Sequence, residues 1–271
     1  RGSSYCLDSN IAILEVLQNS LILNSCNKNI FQIIESKDRQ DTIEFMNLTE
    51  FVDLIVPRGG KGLIQTLVDN SKVPFILDGD GNVHLYIHED AKKENIIDIV
   101  INSKVQRPGV CNALETLLIN SEIYQDMGSQ IIEELLENDV ELFVDAKIKE
   151  DYPNLNLANN LHYETEFLEL KLAVKLVEND SQAIEHIKNY SSGHTDAILT
   201  ESKEVADNFA KSIDSSVIFI NSSTRFTDGE MFGFGSEIGI STQKLHVRGP
   251  MGLEALTNER YVVTGEGTVR G

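Results

Sequence analysis

The sequence predicts an α/β fold with a largely parallel sheet. Two observations point there. Short apolar runs alternate with segments of helical periodicity along most of the chain, and Gly, Pro, Asn and Asp clusters separate them. The chain is 271 residues long and 41% hydrophobic, enough for one large domain or two modest ones around a real core. No apolar stretch approaches the roughly 20 residues that a membrane span needs.

The elements follow in order. Ile11 to Leu23 reads as a helix, with Ile11, Leu14, Leu17 and Leu21 on one face. Ile30 to Ile34 is a short apolar strand, Asn47 to Asp53 a short acidic helix, and Leu54 to Val56 a buried strand. The turn Pro57-Arg58-Gly59-Gly60-Lys61-Gly62 leads into a helix over Leu63 to Asn70. Strands are expected at Val73 to Leu77 and, after the turn chemistry of Asp78 to Asn82, at Val83 to Ile87. Ala113, Leu114, Leu117 and Leu118 recur at helical spacing behind Asn112, a candidate N-cap. Met127 to Asn138 is a second amphipathic helix, Val140 to Val144 a strand, and Lys147 to Asn160 a polar loop. Leu170 to Val177 (strand) and Ser181 to Tyr190 (helix, opening with a capping-box pattern) come next. Ala197 to Thr200, Ser202 to Ser212 and Val217 to Asn221 continue the alternation, and Ser222 to Gly252 is a long glycine-rich segment of the kind that carries function.

The formal charge is −20, which excludes most nucleic-acid binders, because phosphate neutralisation needs a basic face. It also makes any local cluster of Arg and Lys informative. The three cysteines have no C-x-x-C spacing, so neither a disulfide framework nor a zinc site is expected, and a reduced, cytoplasmic compartment fits. No histidine spacing supports a metal, and no charged-then-apolar leader is visible.

Among the motifs, QRPGVCNALETLL (Gln106 to Leu118) stands out. It sets Cys111 behind a Pro-Gly turn and in front of the expected helix, where unpaired N–H groups and the macrodipole would favour the thiolate. Arg107 would act the same way. Such a cysteine is either an activated nucleophile or a small buried hydrophobe. Cys6 and Cys26 lack that turn and read as structural. The Arg58 to Gly62 turn is either a phosphate cradle at a helix N-terminus or a tight βα turn with exposed cations. Arg225, Lys244, His246 and Arg248 gather among glycines and hydroxyls, which points to anion capture or to a solvated surface loop. His84, between Val83 and Leu85, reads as structural.

QRPGVCNALETLL, VDLIVPRGGKGLI, SGHTDAILT and the block from Ser222 to Leu256 together resemble the gamma-glutamyl phosphate reductases, of the aldehyde dehydrogenase superfamily. The resemblance runs over essentially the whole chain. It implies an aldehyde-dehydrogenase-like architecture: residues 1–80 as the rear half of a Rossmann-like cofactor domain, 81–245 as an α/β catalytic domain, and 246–271 as a segment returning to the cofactor domain or to an oligomer contact. It implies NADPH-dependent reduction of L-glutamate 5-phosphate to L-glutamate 5-semialdehyde, through a thioester on Cys111. Arg58, Gly59, Gly60 and Lys61 would lie near the cofactor, NADP(H), and Glu166 would hold the nicotinamide ribose. Arg107, Arg225 and Thr227 would face the substrate's charged groups. Leu77, or a neighbour, falls where aldehyde-oxidising relatives carry a water-activating glutamate. No carboxylate stands at Leu77, although Asp78 is next to it, and that absence suits a reductase that must not hydrolyse its acyl intermediate.

The opening Arg1-Gly2-Ser3-Ser4 departs from the family's R-G-G-K, which bears on the preference for NADPH over NADH. The family's preceding half-sheet and an oxyanion-hole asparagine have no counterpart here, and the loss of one such donor typically costs about 100–1000-fold in rate. The chain alone is therefore expected to be inactive. The resemblance further implies a homo-oligomer when full length and a functional link to glutamate 5-kinase, with neither nucleic acid nor membrane as partner. The alternatives are another aldehyde dehydrogenase superfamily enzyme, or a non-catalytic assembly module.

Overall fold

The computed structural model describes residues 4–36, 38–77, 79–245 and 247–271. The chain divides into two compact units, Arg1–Asp78 and Gly79–Gly271.

The first unit contains helices α1 (Leu7–Leu23), α2 (Arg39–Phe45) and α3 (Lys61–Asn70). Of α1, only Leu7 is buried, while Ile13, Val16, Ile22 and Leu23 are more than half exposed. Helix α2, too short to read from periodicity, is fixed by Asp38, whose carboxylate accepts the Gln40 N–H at 2.9 Å. The strand expected at 30–34 does not form. Ile30 closes a 3-10 turn and the residues after it pair with no strand among those described. The runs at 54–56 and 73–77 meet through a single parallel bridge, Ile55 to Phe75. The acidic helix expected at 47–53 is a set of turns, with the Phe51 and Val52 N–H groups both donating to Leu48 O.

The second unit runs β1 (Val83–Ile87), α4 (Lys93–Val105), β2 (Leu114–Asn120), α5 (Ser121–Glu137), β3 (Glu141–Val144), α6 (Ala146–Asp151), β4 (Asn156–Leu157), α7 (Asn160–Glu164), β5 (Lys171–Val177), α8 (Asp180–Tyr190), β6 (Thr195–Leu199), α9 (Lys203–Ser212) and β7 (Val217–Ile220). A short antiparallel pair follows, β8 (Ile240–Ser241) and β9 (Gly249–Pro250). Seven strands form one parallel sheet in the order β4-β3-β5-β2-β1-β6-β7. Central strands of a parallel sheet are covered on both faces, so they read as nearly continuous apolar runs. Every residue of β1, β2 and β6 is buried accordingly.

One face packs on α4 and α5 through Ile96, Val100, Ile123, Ile131 and Leu135. The other packs on α8 and α9 through Ala183, Ile187 and Phe209. Helix starts are set by short polar side chains. Asn120, Asp145 and Ser202 each accept an N–H of the first turn that follows. For α8 the cap is Asn179, two residues before the Ser181 that the capping-box pattern marks.

Two expectations are corrected here, and one helix goes unread in the sequence. Residues 112–118 are not helical: the segment becomes β2, held between β1 and β5, because two strand neighbours outweigh an ambiguous apolar spacing. Helix α4 carries Ile96, Ile97, Ile99, Val100 and Ile101 on several faces, so it lacks the one-sided stripe that betrays a helix. The polar segment 147–160 holds most of α6 and all of β4, and α7 opens at its last residue.

Candidate active site

Cys111 lies in the turn that joins α4 to β2, partly buried. Its setting is made by four tethers. The backbone of Gly81, just before β1, presses on it so closely that a Cβ on Gly81 would sit 1.7 Å from the Cys111 carbonyl oxygen. Only glycine fits there. The Gly81 N–H donates to Glu166 Oε1 at 2.7 Å, which brings that carboxylate to the cysteine turn. Asn112, expected as a helix cap, instead ties the turn to the segment after β7. Its Nδ2 donates to Thr227 O at 2.8 Å, and its own carbonyl accepts the Thr224 hydroxyl at 2.8 Å. Finally, Arg225 Nε donates to Gln106 Oε1 at 2.8 Å, anchoring the guanidinium at the start of the cysteine turn.

The electrostatics contradict the helix-terminus argument. No helix begins at Cys111, and burial, followed by the Glu237 and Glu166 carboxylates, pushes its thiol up to about 11. Arg225 is the cation that pulls the other way. Arg107 is exposed, and its charge bears on Arg225, whose pKa is lowered first by burial and then by Arg107. The thiol is therefore protonated at neutral pH.

Thr227 is buried, and its hydroxyl is hydrogen-bonded to Thr195 Oγ1 at 2.8 Å, which in turn meets His194 Nδ1 at 2.8 Å. Its carbonyl and its hydroxyl thus tie it to the cysteine turn and to β6. The wider cationic cluster dissolves: Lys244 and Arg248 both pair with Asp214, at 2.5 and 3.0 Å, and His246 lies outside the described residues. Cys6 and Cys26 are exposed rather than packed. His84 is fully buried with Nδ1 at 3.1 Å from Asn82 O, in keeping with a structural role. Sequence reasoning missed Glu237, whose Oε2 accepts the Gly229 N–H at 2.8 Å and whose charge reaches the thiol. It also missed Gly81. Glycine before an apolar strand was the available signal for the latter; nothing local marks Glu237.

In the first unit, Gly60 is the N-cap of α3, no side chain caps that helix, and nothing lies within 4 Å of a Cβ built on Gly60. Arg58 and Gly59 are exposed beside it, and Lys61 is the first helical residue. A helix start without a side-chain cap, a bare glycine and a neighbouring guanidinium are groups that an anion would use. Among the described residues no group of His, Cys, Asp and Glu is arranged to hold a metal ion, and no helix is long and apolar enough to cross a membrane.

No family model matches the chain. Curated relatives do. The gamma-glutamyl phosphate reductase of Thermoanaerobacter pseudethanolicus is 46% identical over 270 residues, covering 100% of this chain and 65% of that protein. The crystal structure of the gamma-glutamyl phosphate reductase from Thermotoga maritima superposes with a TM-score of 0.95 at 43% identity, covering 100% of this chain and 66% of that one. An acetylating aldehyde dehydrogenase from Geobacillus thermoglucosidasius, at 17% identity and a TM-score of 0.71 over 95% of this chain and 66% of its own, shares the fold. The chain thus spans 65% of the length of the curated relatives it matches, and over that span it is 43–46% identical to proteins named gamma-glutamyl phosphate reductase, with an aldehyde-dehydrogenase-like architecture.

Proposed function

We propose that the chain carries the nucleophile of an NADPH-dependent reductase that converts L-glutamate 5-phosphate to L-glutamate 5-semialdehyde and phosphate. The observation that carries this reading is the convergence on Cys111 of one guanidinium, Arg225, and two carboxylates, Glu166 and Glu237. The Cys111 sulfur, once deprotonated, attacks the acyl phosphate carbonyl. The bond from carbon to the phosphate oxygen breaks, phosphate leaves with the electron pair, and a thioester remains. A reduced nicotinamide, when bound, would supply the hydride that takes this acyl group to the aldehyde level. Collapse of the thiohemiacetal returns the thiol.

Arg225, with Arg107 near it, offers positive charge to the substrate's carboxylate and phosphate, and Thr227 acts from behind by fixing the Arg225 segment. The turn at Arg58, Gly59, Gly60 and Lys61 would hold cofactor phosphates, and Glu166 would accept from ribose hydroxyls. NADP(H) over NAD(H), a cytoplasmic homo-oligomer and the link to a kinase that makes the acyl phosphate belong to the same reading.

Peptide-resolved mass spectrometry tests it. After incubation with glutamate 5-phosphate between about pH 8 and 10, chosen because the thiol is held near 11, the Cys111 peptide gains a glutamyl group. Cys111→Ser gains none. A glutamyl group placed elsewhere, or never on Cys111, overturns the reading. Phosphate-independent oxidation of simple aldehydes would move the chain to another superfamily activity. A second reading, an assembly module without turnover of its own, is favoured by the protonated resting thiol.

A further inference from the structure

Lys104 in the last turn of α4 and Glu115 in the second position of β2 stand at the two ends of the cysteine turn. Their Nζ and Oε2 atoms are 2.7 Å apart, and both side chains are fully buried. The other carboxylate oxygen, Oε1, accepts the Leu168 N–H at 3.1 Å. Leu168 is held at φ 55°, a left-handed conformation uncommon outside glycine. Its carbonyl oxygen lies 3.5 Å from where a Cβ on Gly109 would sit, so this bend rests against the cysteine turn. Two residues earlier Glu166 holds Gly81, and Gly81 abuts Cys111. One buried carboxylate therefore joins the end of α4, the start of β2 and the bend that carries Glu166.

A dry ion pair is a poor source of stability, because desolvating two charges offsets most of their attraction. Apolar residues of similar volume often do as well or better. Burial acts visibly on both partners here, pushing Glu115 up to about 7 and Lys104 down. What a pair of this kind supplies is a fixed geometry: two charges and a backbone N–H that satisfy one another in one arrangement. A reactive group on a turn needs such support from the rigid elements flanking it.

We propose that Lys104 and Glu115 are positioning residues for Cys111, a clamp that sets the cysteine turn and the Glu166 bend in one register and so fixes how deeply the thiol is buried. This rests on Cys111 being the nucleophile, and the test separates the two ideas. Alkylation of the Cys111 peptide is followed by mass spectrometry from about pH 7 to 11 in the full chain, which keeps the exposed Cys6 and Cys26 out of the signal. Wild type is compared with Lys104→Met/Glu115→Leu and with Lys104→Met/Glu115→Gln, the latter retaining an acceptor for the Leu168 N–H.

With the clamp gone, the thiol's midpoint should fall by at least about one pH unit, so alkylation near pH 8 speeds up by about tenfold or more. The glutamine variant should fall between the other two, a graded response that a purely structural pair would not produce. A profile within about twofold of wild type in a variant that still melts cooperatively overturns the clamp. So does failure of both variants to fold, which would make the pair a stability element. Failure of the nucleophile reading shows elsewhere, as glutamyl transfer that ignores Cys111→Ser.

Discussion

Apolar runs of similar make-up end differently in the two units of this chain. In Gly79–Gly271, Val83–Ile87 has a parallel neighbour on each side and helices over both faces, and all five residues are buried. In Arg1–Asp78, Leu54 to Val56 and Val73 to Leu77 share one bridge, and none of Leu54, Ile55 and Val56 is fully buried. Helix α1 shows the same contrast with α5. Both contain 17 residues, but α5 buries Ile123, Met127, Gly128, Ile131, Ile132 and Leu135, whereas α1 buries Leu7. The difference teaches that an apolar run specifies a strand only when a second strand is there to take its N–H and C=O groups.

Three measurements would break or sharpen that contrast. The largest effect is expected from the core of the second unit. Leu117→Ala, at a fully buried position of β2, should cost about 2–5 kcal/mol in the main unfolding transition. Leu17→Ala, at a position 40% exposed on α1, should cost less than about 0.5 kcal/mol. Equal costs in denaturant titrations would erase the distinction between the units.

The next effect is set by pH and belongs to the second unit alone. His186 and His194 are buried, and burial pushes both below the ordinary histidine range, His194 to about 4. Both are neutral in the native chain at pH 6, while the unfolded chain titrates near 6.5. Their contribution to stability is therefore complete above about pH 6.5 and is lost as the pH falls from there towards 4. Unfolding at about pH 5.5 should take up roughly two protons, and stability should drop by roughly 2 kcal/mol between pH 6.5 and 5.5. Calorimetry in buffers of different ionisation enthalpy reads the proton count directly. A count near zero would mean that these rings are hydrated.

The smallest effect concerns the tether between the cysteine turn and the Arg225 segment. Asn112→Ala removes the donor to Thr227 O and should cost about 1–2 kcal/mol. It should also slow glutamyl transfer to Cys111 more than the stability loss explains. A change confined to stability would make Asn112 ordinary core.

Much of the second unit was readable in advance. Val83–Ile87, Glu141–Val144, Lys171–Val177 and Val217–Ile220 lie where apolar runs between turn residues put them, and α5, α8 and α9 follow their amphipathic stripes. The site was legible in one respect: Cys111 in a Pro-Gly turn. The acidity of its thiol was not legible, since that depends on what desolvates it and which charges face it. Those groups, Glu166 and Glu237, are more than 50 residues away along the chain. Lys104 and Glu115 left a trace, a charge within an otherwise apolar run, but a lone charge does not name its partner.

What the amino-acid order settled by itself was the α/β class, the family resemblance, and most of the helices and strands of Gly79–Gly271, because hydrophobic periodicity and turn residues act over a few positions. Tertiary structure decided that residues 114–120 are a central strand, that strands close in the order β4-β3-β5-β2-β1-β6-β7, and that the Cys111 thiol is held protonated. Those outcomes depend on hydrogen-bond partners and desolvation supplied from distant segments. Pairing and burial are properties of the assembled chain, and no local pattern contains them.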